Sequence, residues 1–125
     1  MNDSEDLRNA ERFFESHPAS LAIFRTVRTT VEAARPGLCA DVAQQVAFSR
    51  RRGLAWLWMP GMWLRHPSAE TVLSIVLARP DRSPRFKQIV HPSRRVWMHH
   101  LELNDAADID AEVVGWLREA YEQAV

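Results

Sequence analysis

The chain has 125 residues, with sixteen basic and sixteen acidic side chains and a formal charge of zero at neutral pH. Its length suits a single domain, residues 1–125, around one core, and its 46% hydrophobic and 26% charged composition argues against disorder. Zero net charge excludes a nucleic-acid surface built on bulk basic character and leaves only local patches.

Fifteen of the sixteen basic residues are Arg, and Lys87 is the one Lys. Selection for planar, bidentate anion recognition would produce that bias. A GC-rich coding sequence would too; it is the plainer explanation and also accounts for the Ala and Pro. Cys39 is the single cysteine, which excludes an internal disulfide and a multi-cysteine zinc site. The N-terminus, Met1-Asn-Asp-Ser-Glu-Asp6, is acidic and lacks the basic and apolar regions of a signal peptide. No run reaches the roughly 20 apolar residues that cross a bilayer. The expected location is cytoplasmic, with no membrane partner.

Asp3 or Ser4 is placed to cap a first helix whose buried face carries Leu7, Ala10 and Phe14. Ser16-His-Pro18 stops it and opens a second, since Pro is favoured at the first helical position. Leu21, Phe24, Val27 and Val31 predict that the second helix runs to about Arg35, where Pro36-Gly37 ends it. The period then changes from helical to two. Val46 and Phe48, then Leu54, Trp56 and Trp58, alternate as strands do, and Cys39 to Gln45 carries a weaker signal for an edge strand. Arg51-Arg-Gly53 lies between the two runs as a hairpin turn, with Gly53 expected to supply a positive φ.

Thr71-Val-Leu-Ser-Ile-Val-Leu77 is apolar on both faces and so is expected at the centre of the sheet. Ser83-Pro84 is placed to cap a short helical turn through Phe86 and Ile89, and Val96 to Leu103 reads as a further strand. The last helix has its buried stripe at Ile109, Val113, Trp116, Leu117, Ala120, Tyr121 and Ala124. Asp105, Asp108 and Asp110 stand at its N-terminal end, where the helix dipole favours negative charge. The expected fold is therefore α+β: a two-layer sandwich of two N-terminal helices, an antiparallel sheet of four to five strands, and one C-terminal helix.

Three groups of residues are candidates for chemistry. Arg50, Arg51 and Arg52 beside Trp56, Trp58 and Trp63 resemble the pairing of cations with stacking rings used on single-stranded nucleic acid. On a hairpin, however, the arginines become a solvated turn, and Trp56 and Trp58 share a face that two helices would bury. Trp63, in a Pro-Gly loop, is the tryptophan least explained by packing.

His99 and His100 leave opposite faces of one strand and cannot chelate one ion together. His100 and Glu102 share a face, and His91 would complete a two-histidine, one-carboxylate set. That spacing matches no known ligand motif, so no metal and no cofactor is expected. The third candidate is the basic loop Arg79 to His91, with Arg85, Lys87 and His91 around a helical N-terminus at Ser83. Its plainer reading is a solvated loop balanced by the acidic last helix. No Gly-x-Ser-x-Gly elbow, Gly-rich phosphate loop or carboxylate pair is present, and Cys39 has no histidine nearby in sequence.

Several segments together resemble an uncharacterised bacterial family, the domain of unknown function 5655, some of whose members carry the tag "predicted transport protein". They are Phe14-Glu-Ser-His-Pro18, Val46 to Gly53 with Ala55-Trp-Leu-Trp58, Leu73-Ser-Ile75, Ser83 to Lys87 with Val90-His-Pro92, Trp97 to Leu103, and Trp116 to Tyr121. The resemblance covers nearly the whole chain. It implies a small stand-alone α+β domain and no established activity, substrate or catalytic residue. Gln44-Gln45 stands where a Lys-Ser or Lys-Thr pair is expected from the resemblance.

The leading expectation is a binding module rather than an enzyme. Its partner would be an anionic small molecule or a nucleic-acid segment, held by Arg50, Arg51, Arg52, Arg85, Lys87, His91 and His100, with Trp63 or Trp97 stacking. The alternatives are a hydrolase or acid-base enzyme using His91, His99 or His100 with Glu102, and a homodimer formed through the tryptophan-bearing sheet face.

Overall fold

The computed structural model of the protein describes residues 3–39 and 44–125. Helix α1 spans Asp3–Phe14 and α2 spans Pro18–Thr30. The strands are β1 (Arg35–Cys39), β2 (Gln45–Ser49), β3 (Gly53–Trp58), β4 (Thr71–Leu77), β5 (Phe86–Ser93) and β6 (Val96–Leu103). Helix α3 spans Ala111–Gln123, and short 3-10 turns occupy Pro60–Met62 and Ala106–Asp108. All six strands form one antiparallel sheet in the order β1-β2-β3-β4-β6-β5.

The α+β architecture is the expected one, with six strands instead of four to five. The additional strands arise where the sequence signals are ambiguous. Helix α2 stops at Thr30, not near Arg35, because Pro36 disfavours helical φ/ψ at Arg35; the chain turns at residues 31–34 and is extended from Arg35 onward as β1. Pro36 sits in an edge strand, where a missing N–H is tolerated. Of the edge strand expected from Cys39 to Gln45, residues 40–43 lie outside the described residues. Asp3 and Ser4, expected to cap α1, are instead its first two residues.

The helical turn expected from Ser83 to Ile89 does not form. Asp81 and Ser83 consume the local donors: Ser83 N–H donates to Asp81 Oδ1 at 3.0 Å and Arg85 N–H to Ser83 Oγ at 3.3 Å. One turn follows, closed by Phe86 N–H to Ser83 O at 3.2 Å, and Phe86 opens β5.

The core lies between the helices and one face of the sheet. Val46, Phe48, Ala55, Leu57, Leu73, Ile75, Leu101 and Leu103 meet Phe14, Ile23, Phe24, Val27, Val113 and Leu117 there, all essentially without solvent contact. The rings of Phe14, Phe24 and Phe48 run from α1 through α2 to β2 with centroids 5.6 and 5.7 Å apart. Asp110 caps α3 by accepting from Val113 N–H at 3.2 Å, and a capping box links Asp105 and Asp108 just before it.

Candidate functional site

Register decides which face of β3 is covered. Ala55 pairs with Ile75 and Leu57 with Leu73, all on the helix side, so Trp56 and Trp58 emerge on the opposite face, level with Ser74 and Val72. Both tryptophans are half-buried. This corrects the expectation that they belong to the core: alternation tells which residues share a face, not which face the helices cover.

Gly53 explains where the Trp56 ring lies. A Cβ on Gly53 would stand 2.5 and 2.7 Å from Trp56 Cζ2 and Cη2, so the indole is laid against bare backbone. No glycine among the described residues has a positive φ; Gly53 is needed for close approach and not for the turn.

Beyond Trp56 the open face carries a hydrogen-bonded chain. Trp58 Nε1 donates to Ser74 Oγ at 3.0 Å, and Ser74 Oγ lies 2.7 Å from His100 Nδ1. An indole N–H can only donate, so the Ser74 hydroxyl accepts from Trp58, and its own hydrogen finds an acceptor when it points to Nδ1. That arrangement leaves the imidazole proton on Nε2. Burial, and next the neighbouring His99, push the His100 pKa below its ordinary value of 6.5, which keeps the ring neutral. The Trp58 ring meets the His100 ring edge-on, centroids 6.4 Å apart.

Two hollows lie on this face, each about 400 Å3, and Trp56 and Met98 line both. One includes Trp58, Ser74 and His100. The other runs toward the end of α3 and is bounded by Val76, Arg52 and Arg95. Among the described residues, no carboxylate lines either hollow.

The remaining candidate residues are dispersed. The arginine turn closes the carboxyl end of α3: Arg50 Nη1 donates to Tyr121 O, Arg52 Nη2 to Gln123 O, and Arg51 N–H to Ala124 O. The Arg50 guanidinium also stands 4.5 Å from the Tyr121 ring centroid. Arg85 is at the other end of the same helix, bonded to both oxygens of Asp110, to Glu112 and to Asp108 O at 2.9–3.1 Å. The helix has 13 residues, which at 1.5 Å each separates the two groups by about 20 Å. The basic Ser83–His91 segment therefore does not face the arginine turn.

Lys87 is 3.7 Å from Glu102, which also accepts from Ser68 Oγ. His91 stacks on Trp97 at 4.0 Å, with Nδ1 near Val96 O at 2.9 Å. Trp97 is level with Leu77 on the helix side of the sheet, whereas His100 is level with Ser74 on the open side. His91, His100 and Glu102 therefore do not converge. No group of three His, Cys, Asp or Glu among the described residues is placed to hold a metal ion.

His99 is fully buried on the helix side. Its Nδ1 donates to Trp97 O and its Nε2 accepts from Asp81 N–H, each at 2.9 Å. Trp63 projects from the Pro60–Met62 turn, 54% exposed, and Cys39 is half-buried at the end of β1. Sequence reasoning missed Ser74, Met98 and Arg95. Ser74 had a signal, as the one polar residue inside an otherwise apolar central strand; Arg95 had none beyond charge.

The family model described as "Domain of unknown function (DUF5655)" matches residues 10–124. The chain belongs to that family. No curated protein and no solved structure matches it. Membership therefore brings a fold-sized unit without an assigned activity, and the site stands on its geometry. No helix among the described residues of this DUF5655 domain is long and apolar enough to cross a membrane.

Proposed function

We propose that the protein is a binding module for a small anionic ligand with a planar apolar body, seated on the open face of the sheet. The observation that carries this reading is the groove at the end of α3, where Trp56, Val76 and Met98 supply apolar surface beside Arg52 and Arg95 with no carboxylate among its described lining residues. Its volume of about 400 Å3 falls within the range of small-molecule sites, about 300–1,000 Å3.

Arg95 is exposed and makes no hydrogen bond or ion pair with the described residues, so its guanidinium is available in full. Arg52 spends one nitrogen on Gln123 O and keeps the others. The carboxyl end of a helix normally repels anions; here the arginine turn already donates to Tyr121 O, Gln123 O and Ala124 O.

Isothermal titration with phenyl phosphate and 1-naphthoate tests the reading. Binding is expected to weaken with added salt, by about tenfold in Arg95→Ala, and to be lost in Trp56→Ala. Binding of neither probe, or equal affinity in Arg95→Ala, would sink it. A second copy of the chain seated on this face would instead appear as dimerisation that both probes leave unchanged.

A further inference from the structure

Resting on that reading, we infer that the ligand is a nucleoside monophosphate. Its phosphate lies at Arg52 and Arg95, its base lies across Trp56, and a ring-edge acceptor of the base takes the His100 Nε2–H.

The inference comes from the second hollow, which the anion alone does not use. Trp56 and Met98 are common walls of both hollows, so one ligand lying across Trp56 reaches both. On β6, Met98 and His100 are two residues apart and on the same face, about 7 Å along the strand. Val96, the first residue of β6, is a further two steps on, about 7 Å more at the backbone, and Arg95 stands in the turn before it, from which its long side chain lines the groove beside Met98. An anion at the arginine end and an acceptor at His100 must therefore be separated by a rigid or semi-rigid body longer than a simple arene.

The His100 end is built to donate. With the Ser74 hydroxyl accepting from Trp58 Nε1–H and donating to Nδ1, both hydrogens of the chain are used and the ring proton falls on Nε2. The ring is left with one N–H that this chain does not use, beside the hollow that His100 lines. A site so arranged recognises an oxygen or ring nitrogen that accepts a hydrogen bond, and nucleobases present such atoms on their edges. The indoles supply surface on which a base stacks without sequence preference. Gly53 holds the Trp56 ring in place by letting it lie against the backbone.

The experiment compares AMP, GMP, CMP and UMP with phenyl phosphate by calorimetry, in the wild-type chain and in His100→Phe, His100→Gln and Arg95→Ala. Nucleotides are expected to bind about tenfold more tightly than phenyl phosphate. His100→Phe should abolish that margin and leave phenyl phosphate binding unchanged, and His100→Gln, whose amide can donate from the Nε2 position, should restore part of it. Arg95→Ala should weaken both ligand types.

The imidazole nitrogen resonances of His100 offer a readout that does not depend on a variant. They should shift with nucleotide and stay in place with phenyl phosphate. Nucleotides binding no more tightly than phenyl phosphate, or equal losses for both in His100→Phe, would overturn the inference while the anion site stands. If neither phenyl phosphate nor 1-naphthoate binds, the parent reading falls and this one with it. Affinity for an oligothymidylate that rises with its length would overturn the mononucleotide assignment in favour of a single-stranded polymer.

Discussion

Two adjacent histidines on β6 have opposite duties, and the difference lies in what each nitrogen touches. His99 is inside, with Nδ1 on Trp97 O and Nε2 on the Asp81 N–H. The ring of Phe86 packs on it at 4.7 Å. It ties the loop after β4 to β6, and Asp81 passes the link on by accepting from the Trp116 indole at 3.0 Å. Burial raises the Asp81 pKa, but the Ser83 N–H, the Trp116 N–H and Arg79 together outweigh it and hold the carboxylate below its ordinary 3.8. His99→Leu keeps the bulk and strands the Asp81 N–H. The expected loss is about 1–3 kcal/mol, read as a lower urea midpoint with an unchanged slope. His99→Leu as stable as the wild type would mean that water replaces the ring nitrogen.

The separation of these histidines to two faces was legible in the sequence, because side chains alternate along any strand. What each face meets was not. The same gap explains Trp56 and Trp58: their shared face was readable, its exposure was not, since helix coverage is a property of the assembled layers. Gly53 was noticed for the wrong reason. A positive φ and a close ring approach both select glycine, and only coordinates separate them.

At the scale of elements, the sequence signals worked where one force dominated. The stripe of α3 and the apolar run of β4 were clear, because burial alone sets them. Signals failed where two local preferences competed. The residues before Pro36 carry a helical pattern, yet the proline restricts its predecessor and β1 begins there. Ser83-Pro84 reads as a helix start, yet Asp81 and Ser83 side chains take the backbone donors and β5 follows. The arginine turn is a third case. Nothing local in Arg50-Arg-Arg52 says that a helix some 70 residues later ends against it, so its role as a cap was not readable.

That cap makes its own prediction. Arg50 meets Tyr121 twice, by a 3.2 Å bond to its carbonyl and by its guanidinium 4.5 Å from the ring. Exposed cation–π contacts and charges at helix ends are each worth about 0.5–1 kcal/mol. A double-mutant cycle with Arg50→Ala and Tyr121→Leu should give a coupling of about 0.5–1 kcal/mol that shrinks at high salt. Additive losses would show that the two side chains merely lie near each other.

For the whole molecule, the strand order gives the sheet one covered face and one open one. β3 and β4 are its central pair, and β6, paired with β4, carries His99 into the covered layer and His100 onto the open one. Protonation of His100 is therefore a property of the folded state as a whole. Its folded pKa is lowered, so between that value and 6.5 the unfolded chain binds more protons than the native one. Stability must then fall as pH drops below about 6.5, and stop falling on this account below the folded value.

The groups that bear on the ring are His99 beside it, Ser74 and Trp58 bonded in series, Gln88 opposite in register, and Glu102 two residues on, already paired with Lys87. A further decline is expected below about pH 3.8, where Asp81 and Asp110 are held ionised by their partners; Asp110 is lowered first by its hydrogen bond to Arg85. Urea midpoints measured at pH 7.5 and 5.5 separate the two stages. The wild-type chain should lose stability over that interval, and His100→Gln should lose less of it, because the variant has no proton to take up. Equal losses in both chains would show that the open-face imidazole titrates as a free histidine does, which its burial beside His99 should not allow.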